Sequence, residues 1–312
     1  MRPVAVVGTG SIGVAFGIVL ARAGRYVRMW DPVADGRARA RHDVADRLRM
    51  LAGHGLIREP VEEVAGRITF HDELESALWD VELVQECAPE DLDLKCQLFA
   101  LLGRHAPAYA VLASSSSALV PSQYGEGLDC RDRILGAHPG NPPYLLPVIE
   151  LIRSPETAGK YLDIAAEIYT AAGLTAVHVH KEVEGFLFNR LQGAVLREAY
   201  CLVRDGVATV ADIDEVVRSG LGLRWSFMGP FETADLNTRG GIRAHADRMG
   251  PAYERMGAER GQHDPWTPDL VDAVTEQRRR LLPLDRWAER VRWRDERLML
   301  LRSFKDMDPG GK

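Results

Sequence analysis

The stretch VAVVGTGSIGVAFGIVLARAG, residues 4–24, decides the fold. Val4–Val7 read as a buried strand, the glycines Gly8, Gly10 and Gly13 follow at once, and the helical pattern they open stops at Gly24. In that order each glycine has a physical task. Gly8 permits the tight turn, Gly10 lets a phosphate approach the backbone, and Gly13 brings helix and strand together. The helix then begins at Ser11 and Ile12, where unpaired amides attract negative charge. A turn that only packs the sheet is the other reading of the same glycines.

The second strand-like run, RYVRMWD, closes on Asp31. A carboxylate there accepts hydrogen bonds from a ribose 2′-hydroxyl and repels a 2′-phosphate, which selects NAD over NADP, although Arg37 and Arg39 pull the other way. FAD shares the turn, but the chain is short for most flavin enzymes built on it. Similar runs recur at VELVQE, YAVLAS, RILGAH, PVIELI and LTAVHV, with helical segments such as DLDLKCQLFALLGRH among them. The alternation predicts an α/β fold with a Rossmann-type, mainly parallel, doubly wound sheet. Ala34 to Gly66 reads as a solvated helical excursion from it. In SPETAGKYLDIAAEIYTAAG, Ser154 suits a helix cap, Pro155 the first helical position and Gly173 the exit. After Glu184 only helical periodicity remains. The predicted organisation is therefore a nucleotide-binding domain over residues 1–183 and an all-helical C-terminal domain over 184–312. In the last stretch, DRWAERVRWRDERLMLLRSF, Trp287, Val291 and Leu298 approach one face of an ordinary packed helix.

Composition narrows the function. The 312 residues are 46% apolar, enough for real cores, and the net charge of −6 is interleaved, with no basic stripe for nucleic acid or anionic lipid. Cys87, Cys96, Cys130 and Cys201 lack any C-x-x-C spacing, which argues against a metal site, a redox motif or a disulfide framework. The N-terminus enters a strand directly, and nowhere do about eighteen apolar residues follow one another. A cytoplasmic protein that avoids membranes and nucleic acid and acts on a small molecule is expected.

The chemistry is announced by GAHPGNPPYLLPVIELI, residues 136–152, where Glu150 interrupts an apolar run. A buried carboxylate needs a partner. His138 is the candidate, because it ends a strand-like run at the carboxyl end, where open sheets bind ligands, and a carboxylate can fix its tautomer and stabilise its imidazolium. A hydride transfer to NAD needs a group to take the hydroxyl proton, and histidine does so near neutral pH. ASSSSAL, residues 113–119, lies past another strand as either a pocket lining or a solvated loop. Asn189, in EGFLFNRL, is either a polar site residue or a satisfied helix residue.

Read together, ASSSSALVPS, AHPGNPPYLLPVIELIRSPETA, EGFLFNRLQ and SGLGLRWSFMGPFE resemble the 3-hydroxyacyl-CoA dehydrogenase family, and within it the lambda-crystallin branch of L-gulonate 3-dehydrogenases, over about residues 1–250. The resemblance implies NAD bound by the glycine turn and Asp31, with Glu90, Lys95 and Asn141 contacting it. It implies a catalytic set of His138, Glu150, Ser117 and Asn189, the last two also touching substrate, and a homodimer joined through the helical domain that closes over the substrate. Two departures from the acyl-CoA pattern stand out: Pro139 and Gly140 replace the usual aromatic pair, and the excursion contains no lysine. Arg224 offers a fork of donors suited to a small carboxylate, or to an ion pair. Oxidation of L-gulonate to 3-dehydro-L-gulonate is the activity implied. L-carnitine, whose trimethylammonium Trp225 and Phe227 could face, and a short 3-hydroxyacyl-CoA are the alternative substrates. A non-catalytic crystallin-like protein is the alternative of another class.

Overall fold

Val4–Val7 forms the central strand β1 with all four residues buried, because helices cover both faces of the sheet. In the computed structural model, which describes residues 2–262, 267–293 and Arg297, the chain continues through α1 (Ser11–Arg22), β2 (Val27–Trp30), α2 (Ala34–Gly53), α3 (Val61–Gly66) and β3 (Ile68–His71). Next come α4 (Leu74–Leu78), β4 (Leu83–Glu86), α5 (Leu92–His105), β5 (Val111–Ser114) and α6 (Pro121–Gly125). The sheet is completed by β6 (Ile134–Pro139), β7 (Val148–Arg153) and, after α7 (Gly159–Ala171), β8 (Thr175–Val179). Strand order is β3-β2-β1-β4-β5-β6-β7-β8, with every neighbouring pair parallel except β6 and β7. One core packs Phe16 and Leu20 of α1, Leu48 of α2 and Tyr169 of α7 against the sheet, and a second packs Leu78 of α4, Phe99 and Leu102 of α5, and Tyr124. The sheet is thus doubly wound, as the sequence predicts.

Two details differ from the sequence reading. β3 was not foreseen: its four residues, ITFH, are too few and too mixed to stand out, and they pair only with β2 at the sheet edge. Ser154 does not cap α7, which starts at Gly159 after Ala158. Its hydroxyl instead accepts from the Thr157 amide at 3.1 Å, closing a turn ahead of the helix, whereas Gly173 does sit at the exit with φ +84°. By compactness the chain divides into Met1–Leu196 and Arg197–Lys312. Helix α8 (Phe188–Arg204) crosses that division.

The second unit contains only helices among its described residues: α9 (Val210–Val216), α10 (Gly222–Trp225), α11 (Pro230–Leu236), α12 (Gly241–Glu259) and α13 (Pro268–Leu281), with short π and 3-10 turns. Asp235 of α11 is fully buried, accepts the Ile242 amide at 2.7 Å and pairs with Arg279 and, at 3.5 Å, with Arg278. Trp287 and Val291 pack on the Met228, Leu236 and Leu282 cluster, while Leu298 lies outside the described residues. No helix among the described residues is long and apolar enough to cross a membrane.

At the carboxyl end of β4, Lys95 of α5 lies fully buried with Nζ 2.9 Å from each carboxylate oxygen of Glu86. Removing one member of such a pair strands the other charge in a low dielectric, which costs about 3–5 kcal/mol. Lys95→Met is therefore expected to lower the unfolding free energy by about that amount in urea denaturation, and adding Glu86→Gln should restore most of it. Equal stability of Lys95→Met and the parent would mean the pair does not hold this region together.

Candidate active site

The glycine turn fits a dinucleotide pyrophosphate. Gly8 has φ +99°, and a Cβ on it would stand 2.6 Å from the Cys87 carbonyl oxygen. One on Gly13 would stand 1.9 Å from the Gly8 carbonyl, yet one on Gly10 would meet nothing within 4 Å. Two positions are closed by the fold and the middle one is open, as an approaching phosphate requires. Ser11 and Ile12 then begin α1, with no side-chain cap and no acidic residue in its first turn. Asp31 follows β2 and clamps the turn: Oδ2 accepts the Thr9 amide at 2.8 Å and hydroxyl at 3.0 Å, and Oδ1 accepts the Val33 amide at 2.9 Å. A carboxylate offers about four lone-pair sites, so capacity for a ribose hydroxyl remains. Arg37 is held by Asp72 at 2.7 Å. Burial pushes the Cys87 thiol, just behind the turn, up to about 12, so it is no thiolate nucleophile.

The other nucleotide residues have different surroundings from those expected. Lys95 was read as a cofactor contact, but its ammonium is enclosed against Glu86 and has no exposed surface to offer. Glu90 lies past β4, and its Oε1 accepts the Ser116 hydroxyl at 2.5 Å and the amides of Ser117, Ala118 and Leu119 at 3.1, 3.0 and 3.3 Å. Burial pushes its carboxyl up, but the hydrogen bonds from Ser116, Ala118 and Leu119 outweigh this and hold it below the usual carboxylate range. Glu90 thereby shapes the serine loop. Asn141 is exposed in the connection from β6 to β7.

Antiparallel pairing of β6 with β7 puts His138 directly opposite Glu150, so both side chains leave the same face. His138 Nδ1 lies 2.7 Å from Glu150 Oε2, and both residues are buried. The carboxylate's second oxygen accepts the amides of Leu187 at 2.7 Å and Phe188 at 3.0 Å, where the chain turns into α8. Phe186, in that turn, is fully buried at φ +49° with its ring 5.6 Å from the imidazole. The same turn delivers Asn189, whose Nδ2 donates to the Ser117 carbonyl at 3.0 Å. Two hydrogen-bonded pairs, His138 with Glu150 and Asn189 with the Ser117 carbonyl, are thus joined through the turn at Leu187 and Phe188 within the first compact unit. Arg224 falls in the second unit, on α10, half-buried.

Sequence reasoning missed Glu86 and Phe186, and of the four serines in residues 114–117 it assigned a site role by number only to Ser117. Glu86 carried the same signal as Glu150, a carboxylate in an apolar strand. It accepts the Ser114 hydroxyl at 2.5 Å and the Ala88 amide at 2.6 Å besides Lys95. Among the described residues no group of three potential metal ligands is assembled.

Residues 3–183 match the NAD binding domain of 3-hydroxyacyl-CoA dehydrogenase, and residues 185–280 match its C-terminal domain. A lambda-crystallin homolog from Bos taurus is 36% identical over 98% of this chain and 96% of its own. An L-carnitine dehydrogenase from Pseudomonas sp is 36% identical over 89% of this chain and 84% of its own. The crystal structure of a 3-hydroxyacyl-CoA dehydrogenase from Archaeoglobus fulgidus superposes with a TM-score of 0.74 at 25% identity, covering 98% of this chain and 99% of that one. With the glycine turn, the clamp at Asp31 and both halves of the chain in agreement, this protein belongs to the 3-hydroxyacyl-CoA dehydrogenase family of NAD-dependent oxidoreductases.

Proposed function

We propose that the chain oxidises the C3 hydroxyl of a small 3-hydroxy acid with NAD, taking L-gulonate to 3-dehydro-L-gulonate, and that His138 is the general base. The carrying observation is the buried His138–Glu150 pair with its second carboxylate oxygen fixed by two amides. Glu150 accepts the proton on Nδ1, so the Nε2 lone pair is the free acceptor of the imidazole. His138 takes the hydroxyl proton there, and Glu150 steadies the imidazolium. Asn189 keeps its amide oxygen and its other N–H for the substrate after donating to Ser117, and the Ser117 hydroxyl helps to orient the same oxygen. Bound NAD supplies the hydride acceptor. Glu90 and Asn141 are assigned to the cofactor's surroundings, Glu90 through the serine loop.

Arg224, with no ion pair among the described residues, is the cation assigned to the substrate's carboxylate. The excursion over Ala34–Gly66 holds arginines and no lysine, which favours a small acid over a CoA thioester. The 1–183 and 184–312 division is kept as the functional one, with nucleotide binding before it and substrate closure after it.

A homodimer accompanies this reading. Helix α8 buries none of its residues, and Leu196, Tyr200 and Val203, spaced to share a face, are exposed; a second copy is the proposed cover. Light scattering should give twice the 34.6 kDa chain mass, and Tyr200→Glu should move the protein toward the monomer. A monomeric parent would remove the dimer.

The activity is tested by initial rates of NADH formation with L-gulonate, L-carnitine, 3-hydroxybutyrate and 3-hydroxybutyryl-CoA. L-gulonate should give the highest kcat/KM; a preference for carnitine or the thioester would overturn the assignment of Arg224. His138→Ala should lower kcat by about 10²–10⁴-fold while NADH affinity stays the same. Unchanged turnover would remove His138 as base, and a parent that binds NADH but oxidises none of the panel would favour the non-catalytic reading.

A further inference from the structure

Arg47 belongs to α2, within the excursion that the sequence presents as solvated. Its guanidinium nevertheless reaches back to the cofactor turn: Nη1 donates to the Ser11 carbonyl at 3.0 Å and Nη2 to the Ser11 hydroxyl at 3.1 Å. Ser11 is the first residue of α1, a twelve-residue helix whose N-cap, Gly10, has no side chain. That end of the helix carries roughly half a positive elementary charge on its free amides, so a cation beside it is repelled. Three other arginines of α2 are matched by partners: Arg37 by Asp72, Arg49 by Asp46, and Arg41 by the ring of Phe70. For Arg47 no carboxylate lies within ion-pairing distance among the described residues, because its neighbour Asp46 pairs with Arg49. A cation held by two hydrogen bonds against a positive helix end is favourable when an anion joins them. Room for one exists at Gly10, where a Cβ would meet nothing within 4 Å.

We propose that Arg47 is a pyrophosphate-binding residue of the NAD site. The inference rests on NAD binding at the glycine turn and does not depend on the substrate. Ser11 fixes the guanidinium through two of its N–H groups, which would leave the remaining ones to donate to phosphate oxygens bound at the same helix end. The excursion thereby supplies a charged side to a turn that otherwise offers only backbone.

The test is NADH affinity by fluorescence titration for the parent, Arg47→Gln and Arg47→Lys, at low salt and in about 1 M NaCl, with the melting temperature of each ligand-free protein. Arg47→Gln should weaken NADH binding about tenfold at low salt, and Arg47→Lys should recover part of the loss. The gap should narrow in high salt, because screening weakens the charge contact, while the ligand-free melting temperature stays within error of the parent. Equal affinities would overturn the proposal. So would a loss that high salt leaves intact or that follows a lowered melting temperature, since either outcome assigns Arg47 to packing α2 on α1. A parent that fails to bind NADH would overturn the site and Arg47's part in it together.

Discussion

The arrangement of the catalytic end follows from one buried anion. Glu150 sits in β7 among apolar neighbours, where an unpartnered carboxylate would cost several kcal/mol. Its donors come from two directions. His138 is supplied by the register of β6 with β7, and the amides of Leu187 and Phe188 are supplied by the turn into α8. Satisfying that carboxylate therefore fixes both the imidazole and the path of the chain after the sheet. It also accounts for the compact unit running on to Leu196 rather than ending where the strands end.

The same device recurs along the carboxyl ends of the strands. Asp31 after β2 holds the Thr9 turn, Glu86 at the end of β4 holds Ala88 and Ser114, and Glu90 gathers the Ser116 hydroxyl and the amides of Ser117, Ala118 and Leu119. Loops leaving a parallel sheet carry amides that no strand partner can satisfy, and an unpaired buried donor is expensive. A carboxylate accepts several at once and so sets the loop's shape. The acidic residues at this edge act first as loop anchors, and only Asp31 and Glu150 among them also fit direct roles toward cofactor and base.

The parts legible in the sequence were those written by local physics. The glycine turn was readable because strand, glycines and helix start are adjacent in sequence. Glu150 was readable because a charge in an apolar run contradicts its surroundings, and His138 because the same stretch offered a match. Glu86 broke the same rule unnoticed, and its partner Lys95 was assigned outward to the cofactor when the fold turns it inward. The bonds from Glu90 to the serine loop escaped notice because they depend on β4 and β5 meeting side by side. β3 and the Ser154 turn escaped for a different reason. An edge strand of four mixed residues leaves little periodicity, and a serine that caps a helix looks the same in sequence as one that closes a turn before it.

Phe186 shows what the buried anion sustains. A bulky residue at φ +49° is strained by about 1–3 kcal/mol, and nothing in its own side chain relieves that. The conformation brings the next two amides onto Glu150, packs the ring against the imidazole, and starts α8 in the register that sets Asn189 on Ser117. Two hydrogen bonds to a charged acceptor are worth about 1.5–3 kcal/mol each, enough to offset the strain. The strained turn and the His138–Glu150 pair thus maintain each other: without the carboxylate the turn has no reason to adopt its conformation, and without the turn the carboxylate loses two of its three donors.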